Sequence, residues 1–237
     1  MQPVRDFQAP GNGTLVNELL SWMEFPRLFL STPTLFDVPE GNGRPVLVMP
    51  GFGAGDLSTL PLRRYLALIN YRVSGWQQGS NTGEVLELLE AMKSLTLEEA
   101  DRHSEKIDLV GWSLGGYIAR EVARELPDQV NSVITLGSPV VGGPKYTRVA
   151  PFFAARGMDL DDIERDVDAR YDIALQVPVT AIYSKRDGVV SWEACIDCVS
   201  DGVEHVEVNA SHLGLGYSAD VYRIIAKRLA LHAPNSA

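Results

Sequence analysis

The chain has 237 residues, 45% hydrophobic and 22% charged, with Lys+Arg 21 against Asp+Glu 31 and a formal net charge of -10. That composition excludes a disordered or low-complexity chain, and the length suits one α/β domain, spanning 1–237, with a large central sheet. The acidic balance repels polyphosphate and anionic bilayers, and no local basic patch offsets it, so nucleic acid is not an expected partner.

The N-terminal stretch "MQPVRDFQAPGNGTLVNELL" lacks a basic start followed by an unbroken apolar run, so no secretory signal is visible. No apolar stretch is long enough to span a bilayer, and a cytoplasmic location is the default expectation. Leu15, Leu19, Trp22, Met23 and Phe29 recur at helical spacing and predict an amphipathic helix interrupted near Pro26. Such a helix packs on the body or lies at the mouth of a site. Docking on lipid is a variant of the second case that the net charge disfavours.

From here the chain alternates. "GNGRPVLVMPG" places turn residues before Val46–Met49, a continuous apolar run that suits a strand buried on both faces. Leu62, Tyr65, Leu66 and Ile69 are spaced for a helix, "YRVSGW" reads as a strand, and Val85, Leu88, Leu89 and Met92 mark a second helix. "KIDLVG" is a third strand. A helix then presents Leu114, Tyr117, Ile118 and Val122 until Leu126-Pro127 stops it. "VNSVITLGSP", "VPVTAIYSKRDG" and "VEHVEVNAS" supply further strands, and Val221, Ile224, Ile225 and Leu229 a closing helix. Strand and helix in alternation imply a mostly parallel sheet covered on both faces. Residues 144–176 break the rhythm. They carry no strand pattern, but Asp159 is placed to cap a helix presenting Leu160, Ile163 and Val167, so this segment reads as an inserted cap or lid.

The chemistry centres on "GWSLGG". Gly111, Ser113 and Gly115 satisfy G-x-S-x-G with a strand before and a helix after, the context in which a sharp turn lifts the serine oxygen above the sheet edge. A glycine-rich turn without chemistry is the plain alternative for these residues taken alone. The amide of Leu114 opens a helix, where unpaired N–H groups and the dipole favour a developing oxyanion. A serine also needs a base and a group to orient that base. Of four histidines, His103 falls at the opposite sheet edge, His205 lies within a strand, and His232 is in the tail. His212, in the loop after the last strand, is the candidate base. The order serine, acid, histidine then calls for a carboxylate at a strand's C-terminal end, and Asp187 in "YSKRDGVV" supplies one. Asp197 and Asp201, further past that strand, are weaker candidates. The second oxyanion donor is expected from the amide of Phe52 in "MPGFGAGD", where Gly51 and Gly53 let the backbone approach a substrate.

In order along the chain, "VLVMPGFGAGD", "GWQQGSNTG", "LVGWSLGG", "ITLGSP", "YSKRDGVV" and "SHLG" resemble the α/β hydrolases of the bacterial esterase and lipase type. The resemblance implies an α/β-hydrolase fold and the roles already assigned to Ser113, Asp187 and His212, with Phe52 and Leu114 as oxyanion donors. It implies two-step acyl transfer on a small-molecule ester or lipid, with no metal or organic cofactor. This chain departs from many members in having Pro50 and Trp112 where they have histidine, and Trp112 is expected as a bulky wall beside the serine. Trp76 and Asn81 fall in a segment that borders the site in relatives, although a packed strand-end tryptophan and a turn asparagine explain them equally well. Phe152, Phe153 and Met158 are expected either to contact an acyl group from the cap or to pack in its core. An acyltransferase, thioesterase or amidase would use the same three residues, whereas a non-catalytic binding protein on this fold would be expected to have lost one of them. Cys195 and Cys198 read as two unreactive thiols or as a local disulfide. Oligomeric state is not legible.

Overall fold

The computed structural model describes residues 7–14, Glu18, Leu28 and 35–232. Apart from Glu18 and Leu28, the amphipathic helix expected from Leu15 to Phe29 lies outside the described residues.

Six strands, β1 (Pro45–Met49), β2 (Arg72–Gly75), β3 (Ile107–Trp112), β4 (Val130–Leu136), β5 (Val179–Tyr183) and β6 (Val203–Glu207), form one sheet in the order β2-β1-β3-β4-β5-β6. Every pairing is parallel, with Leu47 opposite Leu109 and Val133 opposite Val179. β1 and β3 are buried at every position, β1 as its unbroken apolar run requires and β3 with Asp108 paired to Arg44 and Ser132.

Side-chain alternation along these strands feeds two cores. Val46, Val48, Val110 and Trp112 face one side, where they meet α1 (Asp56–Leu68) and the C-terminal helix α7 (Ala219–Leu231) through Leu66, Tyr222 and Ile225. Leu47, Met49, Ile107 and Leu109 face the other side. There α2 (Val85–His103) and α3 (Leu114–Glu125) present Met92, Ile118 and Val122. A short helix α6 (His212–Leu215) precedes α7.

Between β4 and β5 the chain makes the expected excursion. A 3-10 turn at Gly143–Tyr146 leads into α4 (Ala150–Ala155) and α5 (Leu160–Tyr171). Asp159 caps α5 as its position predicts, its side chain accepting the amides of Asp161 and Asp162. Val167 and Tyr171 are buried on the inner face, while Asp161, Asp162 and Arg165 are exposed. Among the described residues, no helix is long and apolar enough to cross a membrane.

Candidate active site

β3 ends at Trp112, and Ser113 turns the chain directly into α3. Its backbone has φ 54° and ψ -123°, a left-handed conformation that costs a non-glycine residue about 1–3 kcal/mol. The glycines around it permit the turn by close packing. A Cβ on Gly111 would lie 2.4 Å from the Gly115 carbonyl oxygen, and one on Gly115 would lie 2.5 Å from the carbonyl of Pro50. Side chains at these positions would push α3 off the sheet edge. The Ser113 amide is held by the Leu136 carbonyl at 2.8 Å, which fixes the turn to the end of β4.

Asp187 lies four residues past the end of β5, and His212 opens α6 after β6. Both are buried, and His212 Nδ1 meets Asp187 Oδ2 at 2.7 Å. The other carboxylate oxygen accepts the amides of Val189 at 2.8 Å and Val190 at 2.7 Å, so the side chain is held at both oxygens. This leaves Nε2 as the ring nitrogen not engaged by Asp187. Burial pushes the imidazole down, but the Asp187 carboxylate and the Glu18 carboxylate offset this, and His212 titrates above its ordinary 6.5.

The loop after β1 lies beside the serine, since a Cβ on Gly51 would come within 3.1 Å of Ser113 Cβ. Among the described residues, neither the Phe52 nor the Leu114 amide meets an acceptor. The Phe52 ring contacts Phe152 and Phe153 of α4, with centroids 4.9 and 5.3 Å away, and so ties this loop to the excursion.

Ser113, His212, Gly51, Phe52 and Leu114 all line one cavity of about 600 Å³. Its far wall comes from the excursion, through Phe153, Met158, Ile163 and Val167. Trp112 also lines it. Its main contacts are to the His212 loop, for its Nε1 donates to the His212 carbonyl at 3.2 Å and its ring sits against His212 and Tyr217. Trp112 therefore supports the histidine as well as walling the cavity.

Three residues weighed as lining are placed away from the cavity wall. Trp76 is fully buried below the cavity, with its Nε1 donating to the Gly79 carbonyl, and belongs to the α2 and α3 core. Asn81 is equally buried and staples the loop that carries Phe52. Its Nδ2 donates to the Pro50 carbonyl at 3.0 Å, and its own carbonyl accepts the Gly53 amide at 2.8 Å. Phe152 is 40% exposed and packs on the outer side of Phe52 rather than on the cavity wall. In each case a side chain near the site in sequence serves the scaffold around it.

The competing carboxylates are otherwise engaged or exposed. Asp197 forms a buried ion pair with Arg120 of α3 and accepts the amides of Val199 and Ser200, while Asp201 is exposed in the turn before β6. The other histidines lie elsewhere: His103 on Glu99 of its own helix, His205 accepting the Asp197 amide, and His232 at the end of α7. Cys195 and Cys198 are both free; burial raises the Cys195 thiol well above its ordinary value, which makes it unreactive. Sequence reasoning missed Glu18, whose carboxylate accepts three amides beside Asp187 and His212. No motif marks it, for it stands 194 positions from His212.

A parallel sheet, a strained serine at a strand-to-helix turn and a buried acid–histidine pair at the same edge define an α/β hydrolase of the esterase, lipase and thioesterase kind. The model of the palmitoyl protein thioesterase family matches residues 62–185, just over half of the chain, and the chain belongs to that family. A pimeloyl-[acyl-carrier protein] methyl ester esterase of Aliivibrio salmonicida is 31% identical over 112 residues, which cover 45% of this chain and 41% of that protein. The chain thus spans about two-fifths of the length of the curated relative it matches. Among solved structures, Aspergillus fumigatus lipase B is similar with a TM-score of 0.66 at 18% identity, covering 82% of this chain and 54% of the lipase. A structure from work on the metagenome-derived lipolytic enzymes LipS and LipT has a TM-score of 0.64 at 16% identity, with 82% and 95% covered. Monoacylglycerol lipase of Paleococcus ferrophilus has a TM-score of 0.60 at 17% identity, with 83% and 97% covered. At these identities the solved structures establish the fold.

Proposed function

We propose that the chain hydrolyses carboxylic esters of apolar acyl groups through an acyl-enzyme on Ser113. The observation that carries this reading is the buried Asp187–His212 pair at 2.7 Å, whose histidine lines the same cavity as the strained serine. His212 takes the Ser113 proton on Nε2 as Oγ attacks the carbonyl carbon, while Asp187 holds the ring and stabilises the imidazolium. The amides of Phe52 and Leu114 receive the oxyanion. The imidazolium then gives its proton to the departing alkoxide. Water, deprotonated by the same nitrogen, attacks the acyl-enzyme, and the imidazolium returns that proton to the departing Ser113 Oγ as the acid is released.

The excursion acts as the cap over the acyl group, and the apolar side chains of Phe153, Met158, Ile163 and Val167 favour an alkyl chain over a charged one. Each methylene buried there contributes about 0.8 kcal/mol, or about fourfold in kcat/KM. A p-nitrophenyl ester series on wild type and Ser113→Ala tests this reading. The expected result is kcat/KM rising with chain length until the cavity is filled, with loss of turnover and of fluorophosphonate labelling in the variant. Turnover unchanged in Ser113→Ala rejects the nucleophile.

A second reading, thioester cleavage, is favoured by the family match at residues 62–185. The acyl-enzyme is the same and only the leaving group differs. Matched acyl esters and thioesters of one chain length separate the two by their ratio of kcat/KM.

A further inference from the structure

Glu18 is 8% exposed, and both oxygens of its carboxylate are engaged by backbone amides of two different loops. Oε1 accepts from Gly188 at 2.8 Å and from His212 at 2.7 Å, and Oε2 accepts from Leu213 at 2.9 Å. Gly188 directly follows Asp187. The carboxylate therefore bridges the loop that carries the acid to the loop that carries the base, at the backbone of both.

The space for this bridge is made by Gly188. A Cβ there would lie 2.8 Å from the Thr14 carbonyl, 2.9 Å from Glu18 Cγ and 3.0 Å from Glu18 Oε1. The N-terminal segment is also fastened to the body ahead of that contact. The Phe7 ring meets Tyr146 edge-on at 5.3 Å, and the Arg148 guanidinium donates to the Gly11 carbonyl.

A buried carboxylate placed near a second one costs free energy, and a neutral amide could serve as a plain acceptor of two of these N–H groups. What a negative charge adds is attraction for the imidazolium that forms when His212 takes a proton. Among the described residues, the charged groups facing His212 are Asp187 and Glu18, and both favour its protonated form.

Resting on the hydrolase reading above, we propose that Glu18 is a positioning residue of the site: its carboxylate locks the Asp187 loop onto the His212 loop and keeps the acid on Nδ1. Glu18 touches no reacting atom. It acts through the orientation of Asp187 and His212, and its charge favours the imidazolium that they share.

The test compares wild type, Glu18→Gln and Glu18→Ala for kcat, KM, pH profile and the rate of fluorophosphonate labelling of Ser113. A displaced acid–base pair is expected to lower kcat and labelling together by about tenfold to a hundredfold in Glu18→Ala, with KM little changed. Glu18→Gln, which keeps one acceptor oxygen, falls between that variant and wild type. In both variants the acid limb of kcat moves to lower pH, because a charge that favours the imidazolium is gone. A lowered unfolding midpoint with kcat, labelling and acid limb unchanged in Glu18→Gln makes Glu18 a structural residue only and overturns the proposal. If Glu18→Ala does not fold, the near-isosteric Glu18→Gln decides by the same readouts. Wild-type protein that neither turns over esters nor labels at Ser113 overturns the hydrolase reading and this proposal with it; labelling in wild type with no change in either variant overturns only the role of Glu18.

Discussion

The acid–base pair is the residue-scale device with the sharpest consequences. Asp187 holds Nδ1 of a buried imidazole at 2.7 Å, so Asp187→Asn removes both the orienting acceptor and the charge that offsets burial. The expected loss in kcat is about 10³- to 10⁴-fold, with the protein still folded. The pH dependence follows from the sign of the shift. His212 titrates above 6.5, so in the proposed mechanism the neutral base is lost as pH falls through that raised value, and in Asp187→Asn the acid limb is expected to move down. Stability runs the other way. The imidazolium–carboxylate interaction contributes fully below the unfolded value of 6.5 and is lost as pH rises through the folded one. Activity and this part of stability therefore change in opposite directions across one window, which kcat/KM profiles and denaturant midpoints over the same pH series would show. His212 and Asp187 were legible in the sequence because strand ends and turn glycines mark the loops that hold them. Glu18 was not, because a carboxylate among helix-spaced apolar residues looks like an ordinary solvated side chain.

At the scale of elements, the excursion between β4 and β5 sets the volume beside the serine. It is tied to the body by polar contacts as well as by packing. Arg170 of α5 pairs with Glu121 at 2.7 Å and with Glu125 of α3, while within the excursion Tyr146 and Lys145 both meet Glu164 at 2.6 Å. The inner face of α5 can therefore be altered without removing its anchors. Val167→Trp places an indole in the cavity and should move the optimum of an ester series to shorter acyl groups, each excluded methylene costing about fourfold in kcat/KM. An unchanged chain-length profile would mean that the acyl group lies elsewhere. The sequence marked this segment by its missing strand pattern and by the cap at Asp159. It did not separate Phe153, which lines the cavity, from Phe152, which stays outside. Adjacent helical residues point about 100° apart, and only the packing of α4 against Phe52 determines which one turns inward.

Across the whole molecule, the sheet edge that carries the site is braced from beneath by a buried ion pair. Arg120 of α3 reaches Asp197 in the loop before β6, both nearly inaccessible to solvent. Burial raises the Asp197 carboxyl, but Arg120 and the amides of Val199 and Ser200 outweigh this and hold it at about 2. The stability it contributes is present above its ordinary 3.8 and is lost as pH falls toward 2. Asp197→Asn leaves Arg120 buried without its counter-charge and should cost about 3–5 kcal/mol, read as a lower denaturant midpoint. Any folded fraction should retain its kcat. That outcome would separate Asp197 from Asp187, the two aspartates that sequence spacing left in competition.

By itself the sequence determined the alternation of elements, the parallel sheet and the Ser113, Asp187, His212 order, because each rests on local chemistry: apolar runs, helical spacing, and glycines at turns. Only the tertiary structure decided which of the neighbouring residues meet around the serine. Trp76 and Asn81 look like site residues by proximity along the chain, but their side chains meet the Gly79 and Pro50 carbonyls and build the scaffold. Glu18 looks like none, but folding brings it onto the amides of Gly188, His212 and Leu213. Hydrogen-bond partners across such separations are chosen by how helices and loops meet at the sheet edge, and no local pattern in the chain encodes that meeting.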